Sequence, residues 1–379
     1  MSTLCRPLRV LLVAASYFPY TGGLETHVYE VGRRLARDGV EVTILTTDLS
    51  KRLPTAEETG GVRILRVRAW PSTKDYYFAP GIYRIITHGQ WDLIHCQGYH
   101  NFVPPLAMLA ALRANIPYVL SFHSGGDVTR LRKMLRGLQC TLLRPLLSRA
   151  RKLIAVSQFE ADFFQERLRL PNDKFVVIPN GAQLTSIQEQ ADSKIGGSDD
   201  APLIVSVGRL ERYKGHHRAI MALPKVLEQV PDARLRIVGT GPYEMHLQEM
   251  ARKLGVERQV EIRSIASEDR SVMASLLTRA SLITSLSEYE SQGIAVMEAL
   301  VLQCPALVAS STALKELADR GLARAIPLES TPEEVADAVI SQLRSPLVPQ
   351  DFSLPTWEAC AASLLSLYQS IAGRATCAS

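Results

Sequence analysis

Apolar and polar positions follow two rhythms that alternate along the whole chain. Short runs rich in Val, Ile and Leu read as buried strands at 9–15, 42–46, 62–67, 93–96, 118–121, 153–156 and 175–178. The second half continues with runs at 203–207, 235–238, 260–262, 282–284 and 306–308. Between them the apolar period lengthens to that of a helix. Residues 26–38 place Val28, Val31 and Leu35 on one face and stop at Gly39. Strand–helix alternation predicts parallel sheets covered by helices on both faces. A polar run, TSIQEQADSKIGGSDDAP at 185–202, breaks the rhythm and reads as a linker or exposed loop. The pattern therefore predicts two doubly wound α/β domains facing a cleft, with ligands outside the carboxyl ends of the strands.

One segment resists the simple alternation. From Gly293 to Leu302 every residue is apolar or small except Glu298, and Glu290 lies just upstream. A buried carboxylate is costly unless it is satisfied. At a strand–loop–helix junction, free amides and the helix dipole suit a phosphate, Gly293 lets it approach, and the two carboxylates suit vicinal hydroxyls. The competing reading pairs Glu298 with a nearby Arg and leaves Glu290 in solvent. A second junction, SVGRLERYKGHHRAI, sets Arg209 and Lys214 beside Gly208, two cations that suit a diphosphate. A third follows at Gly239 and Gly241.

Composition narrows the class. At 46% hydrophobic and 21% charged residues, the chain is that of a globular protein. Its six cysteines are scattered, without CxxC or a Cys/His cluster, which excludes a disulfide framework or structural zinc site and predicts a reducing, cytoplasmic setting. Arg6 and Arg9 precede a run too short for a membrane span, and it reads as a first buried strand. Charge is divided unevenly: residues 1–183 hold 24 Lys+Arg against 14 Asp+Glu, and the remainder 19 against 24. Much of the excess lies at 128–152, where eight Lys/Arg and no acidic residue are interleaved with leucines, with Pro145 expected to break or bend the segment. Such a surface suits peripheral contact with an anionic membrane or a pyrophosphate-bearing lipid, against the alternative of a packed helix with solvated charges. No aromatics interleave the charges, so a nucleic-acid partner is excluded.

GRLERYKG followed by EYESQGIAVMEAL resembles the signature pair of the retaining glycosyltransferases of family 4, whose GT-B fold sets two Rossmann-like parallel-sheet domains across a cleft. The resemblance runs through PYTGGLETHVYEVGRRLARDGVEVTILTT, WDLIHCQGYH, YVLSFHSGGD, IAVSQFEADFF and VVIPNG to the closing TWEACAASLLSLY. It implies an acceptor-binding domain at 1–183, a linker at 184–200, a donor-binding domain at 201–355, and a final helix, 356–379, packed back on the first domain. By motif position, Glu298 would hold the nucleotide ribose and Glu290 the donor-sugar hydroxyls. Gly293 and Ile294 would offer amides, Arg209 and Lys214 would neutralise the diphosphate, and Gly22 and Gly23 would lie near the phosphates. His123 would sit by the transferred sugar, and Asn180 and Gly181 would mark the domain junction. Ser291 and Gln292 replace the usual glycine and aromatic after the first Glu, which leaves the donor sugar open.

The implied reaction moves a sugar from a UDP- or GDP-sugar to a saccharide hydroxyl, with a lipid-linked acceptor at the inner membrane face as the expectation. No Asp-x-Asp triplet occurs, so neither a metal nor a cofactor is expected, and leaving-group charge falls to cations and amides. A soluble acceptor, a nucleotide-sugar epimerase or phosphorylase, and a non-catalytic sugar-nucleotide-binding subunit are the alternatives. A dehydrogenase fits poorly, because the first loop lacks G-x-G-x-x-G. Without donor, the helix carrying Glu298 is expected to hold an incompletely paired carboxylate.

Overall fold

Apolar runs bounded by Gly and polar turns become central strands, and the amphipathic segments between them become the covering helices. The computed structural model describes residues 6–20, 22–71, 77–123, 130–182, 201–265 and 269–373, with side chains of the 130–147 helix from 138 onward. The linker read at 184–200 lies outside the described residues. Among the described residues two sheets form, each in its own unit. One unit holds 6–123, 130–181 and 355–373, and the other the described residues between 182 and 354.

The first sheet contains β1 (Arg9–Ala14), β2 (Glu41–Asp48), β3 (Ala56–Thr59), β4 (Val62–Arg68), β5 (Leu93–Gln97), β6 (Tyr118–Ser121), β7 (Leu153–Ala155) and β8 (Phe175–Val177). Their order is β3-β4-β2-β1-β5-β6-β7-β8, parallel throughout except for the β3–β4 pair. The second sheet contains β9 (Leu203–Val207), β10 (Arg234–Val238), β11 (Val260–Arg263), β12 (Leu282–Ser285), β13 (Ala306–Ala309) and β14 (Arg324–Ile326). Its order is β11-β10-β9-β12-β13-β14, all parallel. In each sheet the connection direction reverses beside the first strand. Loops at such a switch point splay apart at the carboxyl edge and leave a crevice there. In the second sheet those loops follow β9 and β12, the junctions that carry the cations and the carboxylates.

Two strands escape the apolar pattern. β3 is the polar AEET, largely exposed at an edge, where its backbone bonds to β4 rather than its side chains hold it. β14 has only three residues, with one fully buried. Pro145 does not break its helix, which runs Arg130–Leu147 and ends two residues beyond it.

The helix Trp357–Ala372 belongs to the first unit, against the helix Gly23–Arg37. Thr356 caps its start, and Glu358 pairs with Arg34 at 2.7 Å. Trp357 and Tyr368 are wholly buried, and Tyr368 Oη lies 2.5 Å from His95 Nδ1. Trp357→Ala should cost about 3–5 kcal/mol through lost burial and the cavity left behind. Urea unfolding followed on the first unit checks this, and a midpoint unchanged from the parent would refute it.

Candidate active site

The loop after β9, residues 208–215, ends in a 3₁₀ turn at Arg212–Lys214 and feeds the helix His216–Gln229. The loop after β12 feeds the helix Ile294–Val301. At Gly215, φ is +75° and a Cβ would lie 2.0 Å from the Leu286 carbonyl oxygen, so only glycine lets the loops touch. That approach brings Lys214 Nζ to 2.7 Å from Glu290 Oε1. Ser287 Oγ lies 3.0 Å from the same oxygen and 3.2 Å from the Lys214 carbonyl, while Thr312 Oγ1 accepts the Glu290 amide at 2.9 Å. Both Lys214 and Glu290 side chains are only 16% exposed. Burial opposes the charge on Lys214, but the Glu290 carboxylate more than offsets it, and the lysine pKa ends above its ordinary value. Glu290 is therefore not a solvated surface group.

Gly293 caps the following helix in a left-handed conformation, φ +80°, where a Cβ would also meet Leu314 at 2.8 Å. Ile294 opens the helix, whose first amides have no partner within it. Five residues into it stands Glu298, with a side chain 5% exposed. It is not left incompletely paired: Arg270, from the helix Arg270–Arg279, donates to its Oε1. The expectation of an unsatisfied carboxylate fails because a neighbouring helix, remote in sequence, brings a guanidinium to it. Arg209 is 61% exposed and turns to Glu211 at 2.5 Å, so of the two cations only Lys214 meets a signature carboxylate. His216 ties this loop to the sheet. Its Nε2 donates to the Arg209 carbonyl at 3.2 Å and its Nδ1 lies 2.8 Å from Ser206 Oγ, while burial pulls its pKa down to about 4.

In the first unit, Gly22 is extended and caps the helix that Gly23 begins, with Glu25 in its first turn bonded by the Ser16 hydroxyl. His123 follows β6 in a left-handed conformation, φ +44°, with Nε2 2.7 Å from Gln97 Oε1. Its ring packs 4.5 Å from that of His27, which bonds Asn180 Oδ1 at 2.6 Å. Burial, then the neighbouring His27, His95 and His100, hold the His123 pKa well below the usual imidazole range. His123 is thus a neutral hydrogen-bonding group at pH 7 rather than a cation.

Two family models match most of the chain. The model for Glycosyltransferase Family 4 matches residues 21–186, and that for Glycosyl transferases group 1 matches 187–354. The chain is a group 1 glycosyltransferase of the family 4 type. It is 26% identical over 384 residues to a phosphatidyl-myo-inositol mannosyltransferase of Mycolicibacterium smegmatis, covering 97% of this chain and 95% of the relative. Among solved structures it is similar to sucrose-phosphate synthase from Thermosynechococcus elongatus, with TM-score 0.78, 18% identity, and 96% and 99% of the two chains covered. It is also similar to HepE from Anabaena in complex with UDP-glucose, with TM-score 0.70, 18% identity, and 97% and 98% covered. These likenesses show the GT-B fold for the glycosyltransferase.

Three residues that hold the candidate groups within each unit carry no motif signal. In the second unit Arg270 reaches Glu298 and Thr312 reaches Glu290, and in the first unit Gln97 on β5 reaches His123, which follows the adjacent β6. Nothing in a linear pattern ties them to the carboxylates or to His123. Among the described residues no group of three His, Cys, Asp or Glu side chains is arranged to hold a metal ion.

Proposed function

We propose that this glycosyltransferase moves a sugar from a UDP- or GDP-sugar to a hydroxyl of a lipid-linked saccharide, with retained anomeric configuration and no metal. The Lys214–Glu290–Ser287 cluster beside the N-terminus of the helix Ile294–Val301 carries the reading. It joins a sheltered cation, hydroxyl-accepting carboxylate oxygens and free helix amides at a switch point. Breaking the anomeric bond leaves negative charge on the diphosphate. Lys214, Arg209 and the Gly293–Ile294 amides would stabilise that charge through contacts strongest when the bond has parted. Glu290 would accept donor-sugar hydroxyls and Glu298 those of the ribose. Uncharged His123 would serve as a hydrogen-bond partner for the sugar. Glu290 is committed to Lys214, so no side chain is assigned as base, and the leaving phosphate would take the acceptor proton.

Two observations support a lipid-linked acceptor at the cytoplasmic membrane face. A related mannosyltransferase has a phosphatidyl-myo-inositol in its name. On the helix Arg130–Leu147, Leu138 and Leu142 lie four residues apart with 58% and 69% exposure, ahead of Arg149, Arg151 and Lys152. No helix of the described residues is long and apolar enough to cross a membrane, so contact here would be peripheral.

Incubation with UDP- and GDP-sugars, scored by nucleoside-diphosphate release and by the anomeric coupling in the product, tests the reaction. Full activity is expected in excess EDTA, and loss restored only by a divalent ion would sink the metal-free mechanism. An isomerised nucleotide sugar would indicate an epimerase, and binding without turnover a non-catalytic subunit. Flotation with anionic vesicles at low salt tests the membrane contact; its failure would leave a soluble acceptor such as a sugar phosphate.

A further inference from the structure

We propose that Arg270 determines sugar selectivity within the nucleotide: its pairing with Glu298 positions that carboxylate to select ribonucleotides over 2′-deoxyribonucleotides. This inference rests on the reading of Glu298 as the ribose-binding group. The carboxylate stands in a nearly closed apolar setting, with Val296, Met297, Ala299 and Leu300 all 2% exposed or less. A buried carboxylate is costly unless a positive charge pairs with it. Arg270 supplies that charge. It binds at Oε1 and is itself 31% exposed, so the pair lies at the boundary between core and solvent.

A carboxylate has about four acceptor positions, and a guanidinium N–H at Oε1 is compatible with hydroxyls at the others. The planar guanidinium also limits how the carboxylate turns, more than a flexible ammonium would. Ribose hydroxyls donate well to an ionised, fixed carboxylate and poorly to a neutral or swinging one. Base and diphosphate are met by other groups, so losing Arg270 should weaken the sugar contact selectively. Arg270 therefore acts through Glu298 as a positioning residue. It stands 28 positions away on a separate helix and is no part of the carboxylate motif.

The test is calorimetric titration of the whole protein with UDP, GDP and ADP, and then with the 2′-deoxy form of whichever binds best. The parent should prefer the ribonucleotide roughly 10- to 100-fold, the range for a hydrogen bond to a charged group. Arg270→Met should reduce that preference to below about threefold, mainly by weakening the ribonucleotide. Arg270→Lys should fall between the two. The ratio of affinities is insensitive to the fraction of folded protein, and Arg270→Lys serves if the methionine variant fails to fold. A full parental ratio in the variant that folds overturns the inference and makes Arg270 only a structural countercharge. Parent binding without ribose preference also overturns it and leaves the transferase reading standing. Parent binding to none of the three diphosphates overturns both.

Discussion

Lys214→Met is expected to lower turnover about 10²–10³-fold, the loss typical of removing one preorganised group that stabilises transition-state charge. Two effects act together. The diphosphate loses its sheltered cation, and Glu290, only 16% exposed, loses the partner 2.7 Å away. A partly buried carboxylate without its partner no longer holds a fixed orientation toward donor hydroxyls. Arg209→Met should cost less, because that side chain is 61% exposed and already paired with Glu211. Initial rates of nucleoside-diphosphate release at saturating donor distinguish the two. If Arg209→Met proved equally damaging, Lys214 would lose its assigned primacy. Glu290→Gln in the Lys214→Met background should add little, since residues in contact behave as a unit.

Stability is expected to fall steeply between pH 6.5 and 4. His27 and His216 are 2% and 1% exposed, and burial lowers each pKa to about 4. Unfolded imidazoles bind protons near 6.5, so the unfolded chain holds more protons throughout that window. Stability therefore rises with pH; it is full above the unfolded value and declines as pH falls toward the folded one. Each of the two histidines should remove about 2 kcal/mol between pH 7 and pH 5. His95 and His123, also depressed by burial and neighbouring histidines, add to the effect in the first unit. Urea titrations at pH 7.5, 6 and 5 should show that unit losing stability first, with His27→Gln giving a shallower pH slope. A slope unchanged by that substitution would mean that His27 does not carry the effect.

How much of this was legible from residues alone depended on the range of the cause. Twelve strands announced themselves as runs rich in Val, Ile and Leu bounded by turns. β3 and β14 did not, because one is a polar edge strand held by backbone pairing and the other, Arg324–Ile326, carries a single buried residue. The Glu290–Glu298 spacing and the Gly208–Lys214 junction were likewise visible, since each lies on one continuous loop and helix. Gly293 was read as a close approach for phosphate, and the structure adds that it caps the helix in a left-handed conformation.

The partners of those residues were decided elsewhere. Sequence spacing offered either a ribose or a nearby Arg for Glu298 and left Glu290 either binding or solvated. Folding gave each its own cation: Arg270 from another helix, and Lys214 across 76 residues. The neutral state of His123 likewise follows from its burial, and then from rings on the helix Gly23–Arg37 and on β5. Local sequence determined the elements and their punctuation, because dihedral preference and burial periodicity act over a few residues. Charge state and orientation in the site waited on the tertiary structure, because electrostatics depends on distance through space, which chain order does not record.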